Sequence, residues 1–255
     1  MNFIELTMPL NHQWMPDAVL PTSVGFFLGP KDHQEKGIVV GSETGTCLVL
    51  PSVFVEFRKT ARIDQLPVEK LCLRATTVAV IPKNEDEEIT RADLEKVLDA
   101  ARPSKGDALL IVTGWGDRSF HDMEGGAYVL HSPHLSLEAA KYLAQRMKDN
   151  ESDLLLVDTA FIGRPDKHLI PEWSSILPPP SIQSGEARMY LHLYNREKAK
   201  EDFAVEMEFA RCEIMTVRKL IDCGQIQKTK IKIIVSPLQI VRGVASTCRV
   251  VAVEE

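Results

Sequence analysis

Chemistry at neutral pH needs bases, nucleophiles or metal ligands at usable spacing, and this chain offers few such groupings. Its seven histidines are His12, His33, His121, His131, His134, His168 and His192. No His-Glu-x-x-His sets two imidazoles on one helix face. His131 and His134 would share a ligand if they sat one helical turn apart, but Pro133 between them reads as loop. The five cysteines, Cys47, Cys72, Cys212, Cys223 and Cys248, are odd in number and never at Cys-x-x-Cys spacing, which speaks against a zinc ribbon and against a disulfide framework. Glycine-rich phosphate cradles and the Gly-x-Ser-x-Gly nucleophile elbow are absent. The acidic run from Asn84 to Glu88 reads as a solvated helix entry. Asp158 and Thr159 follow the apolar run Leu154 to Val157. That places them at the C-terminal end of a buried strand, where polar side chains often face a site.

The elements that would position these groups alternate between strand and helix. Residues 2–10 read as a short strand stopped by Pro9, residues 11–37 as a Pro-, Gly- and His-rich loop region, and residues 38–55 as β-prone around a Gly-Thr turn. Leu71 to Ile81 predicts a strand. Asn84 to Ala101 predicts a helix, with Thr90 as N-cap, Asp93 three residues on, and an apolar stripe of Leu94, Val97, Leu98 and Ala101. Ala108 to Thr113 and Leu154 to Val157 are continuous apolar runs of strand length. Leu135 to Met147 predicts a second helix capped by Ser136. Residues 163–187 read as loop, followed by a helix near 197–209, a strand near 210–216, and a strand from Ile231 to Val235. Short, irregularly spaced strands between helices favour a mixed-sheet α/β domain over a Rossmann or barrel fold.

Composition bounds the function classes. The chain has 255 residues, 44% hydrophobic and 26% charged, which is enough for one domain spanning 1–255 to bury a core without a disulfide or structural metal. Net charge is −6 with no dense Lys/Arg run, so no nucleic-acid partner is expected. No run approaches a membrane span, and the first residues lack the basic and apolar regions of a signal peptide. The free cysteines then suggest a cytoplasmic setting.

Several stretches, in order, resemble the metal-dependent cyclase family that includes kynurenine formamidase (arylformamidase) and isatin hydrolase. The opening FIELTMPL resembles its first strand, and Ser42 to Phe54 (SETGTCLVLPSVF) its H-x-G-T-H-x-D-x-P-x-H hallmark. RIDQL at 62–66 and GDALLIVTGW at 106–115 resemble the next two segments, followed by HLSLEAAKYLA from His134, LLLVDT at 154–159 and the closing stretch 231–253. The resemblance implies a single α/β domain with a mixed sheet and flanking helices, of the swivelling β/β/α kind. It also implies assembly as a homodimer or homotetramer, and hydrolysis of a small amide, formamide or lactam by water activated on zinc or manganese.

The departures bear on that chemistry. The Thr44-Gly45-Thr46 turn and Pro51 are kept, but Glu43 and Cys47 stand at the first two histidine positions, Val49 at the aspartate and Val53 at the last histidine. Glu213 aligns with a ligating glutamate, which puts Glu201 at a histidine position, beyond an apparent insertion over 163–200. By resemblance, Glu43, Cys47 and Glu213 are the remaining metal candidates, and Glu213 with Glu201 the catalytic carboxylates. A thiolate with three carboxylates would carry about −4, more than one divalent ion neutralises. The alternative is a metal-free pocket with Cys47 as a small buried hydrophobe. Cys47 as a nucleophile would need a base, and no histidine lies near it in sequence. Trp14, Phe26 and Phe27 fall where the family's N-terminal loop covers the pocket, and with Thr46 they are the candidate contacts to a planar small-molecule ligand. Two readings follow: an altered hydrolase, or a non-catalytic relative that binds a small molecule or a partner chain.

The apolar stretch Ile231 to Val241 adds to the expectation of a homo-oligomer. Light scattering should therefore report a mass at least twice the 28.5 kDa of one chain; a monomer at micromolar concentration would contradict it.

Overall fold

The computed structural model describes residues 1–10, 25–28, 36–39, 41–55, 61–122, 128–129, 131–164 and 203–255, with only the backbone path for 25–28, 36–39 and 119–122. In chain order the strands are β1 (Asn2–Glu5), β2 (Gly25–Leu28), β3 (Lys36–Val39), β4 (Cys47–Val49), β5 (Arg74–Val80), β6 (Glu88–Ile89), β7 (Ala108–Val112), β8 (His134–Leu135), β9 (Leu154–Val157), β10 (Met215–Arg218), β11 (Lys230–Pro237) and β12 (Ala245–Glu254). The helices are α1 (Arg91–Ala101), α2 (Trp115–Asp122), α3 (Leu137–Asp149) and α4 (Ala204–Arg211).

One mixed sheet of eight strands runs β1-β12-β11-β5-β7-β9-β10-β4, and β4 pairs again with β12, so the sheet closes on itself. β5, β7, β9 and β10 are parallel neighbours; the other contacts are antiparallel. The long edge of β12 takes β4 at Ala245 to Thr247 and β1 at Val251 to Glu254. The expected mixed sheet with flanking helices is therefore present, and it curls into a barrel-like closure that short, irregular strands did not suggest.

Strand alternation explains the closure. Along β7, Ala108, Leu110 and Val112 face a core inside the ring, while Leu109 and Ile111 face a second core under the helices. β9 divides the same way, with Leu154 and Leu156 inside and Leu155 and Val157 outside. Both faces are covered, so the run is apolar at every position rather than at alternate ones. The outer layer takes Leu94 and Leu98 from α1, Leu143 and Met147 from α3, and Phe209 from α4.

Local caps set the helix ends. Thr90 Oγ1 accepts from Asp93 N while the Asp93 carboxylate takes Thr90 N at 2.9 Å, a closed capping box. Ser136 Oγ accepts from Ala139 N at 3.1 Å. The capping box also corrects the predicted helix over Asn84–Ala101: it starts at Arg91, and the preceding residues form a turn with Asp86 at φ 59 and the short strand β6. Helix α4 runs to Arg211 and β10 begins only at Met215, later than the expected 210, because Glu213 at φ 60 turns the chain between them. Residues 165–202, including the expected loop and the start of the 197–209 helix, lie outside the described residues. Helix α2 was not foreseen. Among the described residues, no helix is long and apolar enough to cross a membrane.

Gly116 sits where α2 meets the end of β10. A Cβ there would come within 2.0 Å of the Leu220 carbonyl oxygen, which is backbone and cannot rotate away. Gly116→Ala should lower stability by roughly 2 kcal/mol or more, read as a shift in the urea midpoint at unchanged m-value.

Candidate functional site

Residues 41–55 carry the positions expected to hold ligands. Gly45 sits at φ 61, which favours glycine at the turn. Thr46 is fully buried; its hydroxyl accepts from Met8 N at 2.8 Å and donates to Lys219 O at 2.6 Å. That side chain ties the chain after β1 to the end of β10, so its hydroxyl proton is committed within the fold. Lys219, also buried, donates from Nζ to the Glu43 carbonyl at 2.7 Å.

Because side chains alternate along a strand, Leu48 points into the ring while Cys47 and Val49 point out of it. On β10, Met215 and Val217 point in, and Thr216 and Arg218 share the outward face. Register sets Arg218 directly opposite Cys47.

Arg218 is 2% exposed. Its guanidinium donates to the Glu43 carboxylate and to the Cys47 sulfur, and stands 5.1 Å from the centre of the Phe161 ring. Glu206, projecting from α4, is the second nearby carboxylate. Burial works against the guanidinium's charge, but Glu43, Cys47 and Glu206 more than offset it and hold its pKa above the ordinary arginine value. Glu206 is 4% exposed. Its Oε1 accepts from Gly163 N at 3.0 Å, and its Oε2 has no partner among the described residues. Burial raises its pKa, against the pull of Gly163 N–H and Arg218. Arg218 Nε and Thr44 Oγ1 are likewise buried without partners among the described residues.

The remaining positions are apolar. Val49 packs with Cys47 and Ala245, and half-buried Val53 and Phe54 rest on them. Between Val49, Pro51, Phe54 and Glu206 lies a cavity of about 10 Å³, space for about one water. A larger cleft of about 180 Å³ lies elsewhere, lined by Leu98, Asp107, Arg146 and Asn150. It borders the residues leading into β7 and β9, whereas α/β folds place ligands at the opposite, C-terminal strand ends.

At those C-terminal ends, Asp158 is fully buried. Its carboxylate accepts from Thr113 N, the Thr113 hydroxyl at 2.7 Å and Gly114 N at 2.7 Å, tying the exit of β7 to β9. Desolvation raises its pKa to about 6, against those hydrogen bonds. The Thr159 hydroxyl donates to Phe161 O at 2.7 Å. Of the two residues expected to face a site, Asp158 holds strand ends together and Thr159 closes a local turn beyond β9.

The structure gathers some of the sequence candidates and separates others. Glu43 and Cys47 meet around Arg218. Glu213 is exposed just beyond the C-terminal end of α4. Glu201 and Trp14 lie outside the described residues; Phe26 and Phe27 pair in β2 with Ile38 and Gly37 of β3, with backbone alone described. His134 is buried in β8, where burial and then Arg164 lower its pKa, whereas His131 lies half-exposed near Asp86. The two histidines therefore do not face one ligand.

Sequence reasoning missed Arg218 and Glu206. Each carried a signal: a charged residue in the apolar strand MTVRKL, and a glutamate four residues before Ala210 on the buried face of α4.

A divalent ion at the hallmark positions does not fit these residues. Val49 and Val53 offer no donor atom, and Glu43 is paired to a guanidinium that stands among the other donors. Among the described residues, the group whose ligand atoms lie within 4.8 Å of one another is Glu85, Asp86 and His131, a surface cluster that also pairs with Arg164. It is the place where a metal ion could be held, and the acidic run read as a simple helix entry contributes two of its members.

The model of the Cyclase family matches residues 4–161. No curated protein matches the chain in sequence. Among solved structures, the fold is similar to isatin hydrolase A from Ralstonia solanacearum, at 16% identity and a TM-score of 0.68 over 100% of this chain and 92% of that one. It is similar to isatin hydrolase A from Labrenzia aggregata bound to benzyl benzoate, at 17% identity and 0.65 over 98% and 93%. It is also similar to a predicted metal-dependent hydrolase from Bacillus stearothermophilus, at 16% identity and 0.64 over 98% and 97%.

The raised pKa of Asp158 gives stability a pH dependence with a definite sign. The folded state holds this proton more tightly than the unfolded chain between about 3.8 and 6. The group's contribution is therefore largest below that window and is lost as pH rises through it, by roughly 3 kcal/mol in all. The stability difference between wild type and Asp158→Asn, measured by urea unfolding from pH 4 to 7, should change in that direction; a flat difference would refute the assignment.

Proposed function

Since the chain belongs to the cyclase family, we propose that it is a non-catalytic relative, one that keeps the family fold without a metal-activated water and binds a small molecule or a partner chain. The observation that carries this reading is the pairing of Glu43 with Arg218 across the hallmark positions. Hydrolysis on a divalent ion depends on lowering the pKa of bound water from about 15.7 to near 7. That route needs donors converging on an empty centre. Here the centre is filled by a side chain, and two donor positions are valines.

A second reading, a slow hydrolase of a small amide, formamide or lactam, is favoured by Glu206. Its Oε2, without a partner among the described residues, and its raised pKa suit a general base on an unactivated water. Glu213, aligned by resemblance with a ligating glutamate, lies exposed beyond α4.

Protein purified without chelator should carry less than about one zinc or manganese per chain. It should also show no turnover of isatin or N-formylkynurenine above the uncatalysed rate, with or without added metal. Metal-dependent turnover would overturn the proposal. Metal-independent turnover that is lost in Glu206→Gln and kept in Glu213→Gln would establish the second reading instead.

A further inference from the structure

We propose that Glu85, Asp86 and His131 form a surface site for one divalent transition-metal ion of the zinc type, beside the paired strands β6 and β8. The proposal goes beyond the reading of the hallmark positions, and none of those residues takes part in it.

The three side chains meet from two segments 45 residues apart in the chain. His131 Nδ1 lies 3.3 Å from Glu85 Oε1 and 2.9 Å from Asp86 Oδ2, and all three ligand atoms fall within 4.8 Å of one another. A tetrahedral ion with bonds of about 2.0–2.1 Å separates its ligand atoms by about 3.3 Å. The imidazole–Glu85 distance already has that value, and the imidazole–Asp86 distance needs to open only by about 0.4 Å. Backbone pins the two segments together. Asp86 N donates to His131 O at 2.8 Å, and β6 pairs with β8 just beyond, with Glu88 opposite His134. The donors are thus gathered before any ion arrives, and binding does not have to order them. Arg164 donates to Asp86 Oδ1 at 2.6 Å, which leaves Oδ2 to the imidazole. Partners of this kind orient a ligating carboxylate.

Two carboxylates and a neutral imidazole carry −2, which one divalent ion neutralises. The ring nitrogen favours zinc or cobalt over magnesium or calcium, which take oxygen ligands. The ring would bind through Nδ1 with its proton on Nε2, and water would fill the open position, since each of the three side chains is more than a third exposed. A second observation points to a ligand at this place. His134, on the adjoining strand and 8% exposed, has a buried Nδ1 with no partner among the described residues, and the charges of Arg164 and Asp86 both act on it. A water carried by the ion would supply that nitrogen with a hydrogen bond, so the two imidazoles need not share a direct ligand. An exposed site of three donors beside a guanidinium exchanges its ion with solvent. It fills on titration and empties during purification, in keeping with little metal on the protein as isolated.

Wild type, His131→Ala, Asp86→Asn and Glu85→Gln would each be titrated with cobalt alone. Calorimetry reads the stoichiometry, and the near-ultraviolet cobalt–thiolate band reports whether sulfur is bound. Wild type should take up about one cobalt per chain with no thiolate band. Each variant should bind at least about tenfold more weakly, with circular dichroism unchanged. Glu85 is the most exposed of the three, so Glu85→Gln keeps the test decisive if another variant unfolds. No uptake at millimolar cobalt overturns the site, and so does uptake that the folded variants leave unchanged. A thiolate band that Cys47→Ser abolishes would place the ion at the hallmark turn, overturning this site and the metal-free reading together; failure of this site alone shows as no uptake.

Discussion

Burying a guanidinium costs several kcal/mol unless opposite charge and hydrogen-bond acceptors travel with it, and the neighbourhood of Arg218 is arranged to meet that cost. The turn before β4 brings Glu43 in, register on β10 sets Cys47 opposite, and α4 swings Glu206 over the outer face. Lys219 next in sequence is buried as well and braces the same turn through the Glu43 carbonyl. The position of α4 is tied to the charge in turn: Gly163 lets the helix approach closely, since a Cβ there would meet Val205 at 2.7 Å, and its N–H holds Glu206 in place. Fold and electrostatics are therefore one problem at this point of the molecule. Removing one partner of such a group typically costs 3–5 kcal/mol, because the other charge is left behind.

The closed sheet is what makes the outer face of β4 and β10 available at all. With Leu48, Met215 and Val217 committed to the interior, alternation leaves Cys47, Val49, Thr216 and Arg218 to the outside, under α4. A slip of one residue along either strand would exchange the two sets and drive the guanidinium into an apolar interior. Asp158 works at the neighbouring strand ends, where three donors converge on one carboxylate and keep the exits of β7 and β9 together.

Much of the architecture was legible in the sequence, because it rests on local patterns. The capping box at Thr90, the Ser136 cap and the apolar runs of β7 and β9 each fall where pattern placed them. Ring closure was not legible, since the pairing of β4 with both β10 and β12 joins segments far apart in the chain. At the site, the hallmark alignment directed attention to Glu43 and Cys47 but gave no sign of what they would face. Arg218 and Glu206 come from segments about 40 residues or more beyond the matched part of the chain. Only tertiary structure brings a lone arginine in a strand and a lone glutamate in a helix to the same point.

The pairing of β1 with β12 has a consequence for how the molecule is made. The Thr7 hydroxyl accepts from Val250 N across 243 residues of chain, and Leu6 N reaches Val250 O beside it. During synthesis the opening strand therefore emerges from the ribosome with neither edge satisfied and waits, through translation of everything between, for the strand it will join. Contacts of such long range are slow to close, and an unpaired strand exposing apolar Ile4 and Leu6 is a template for other chains. The waiting strand is short, and that limits its reach as a template.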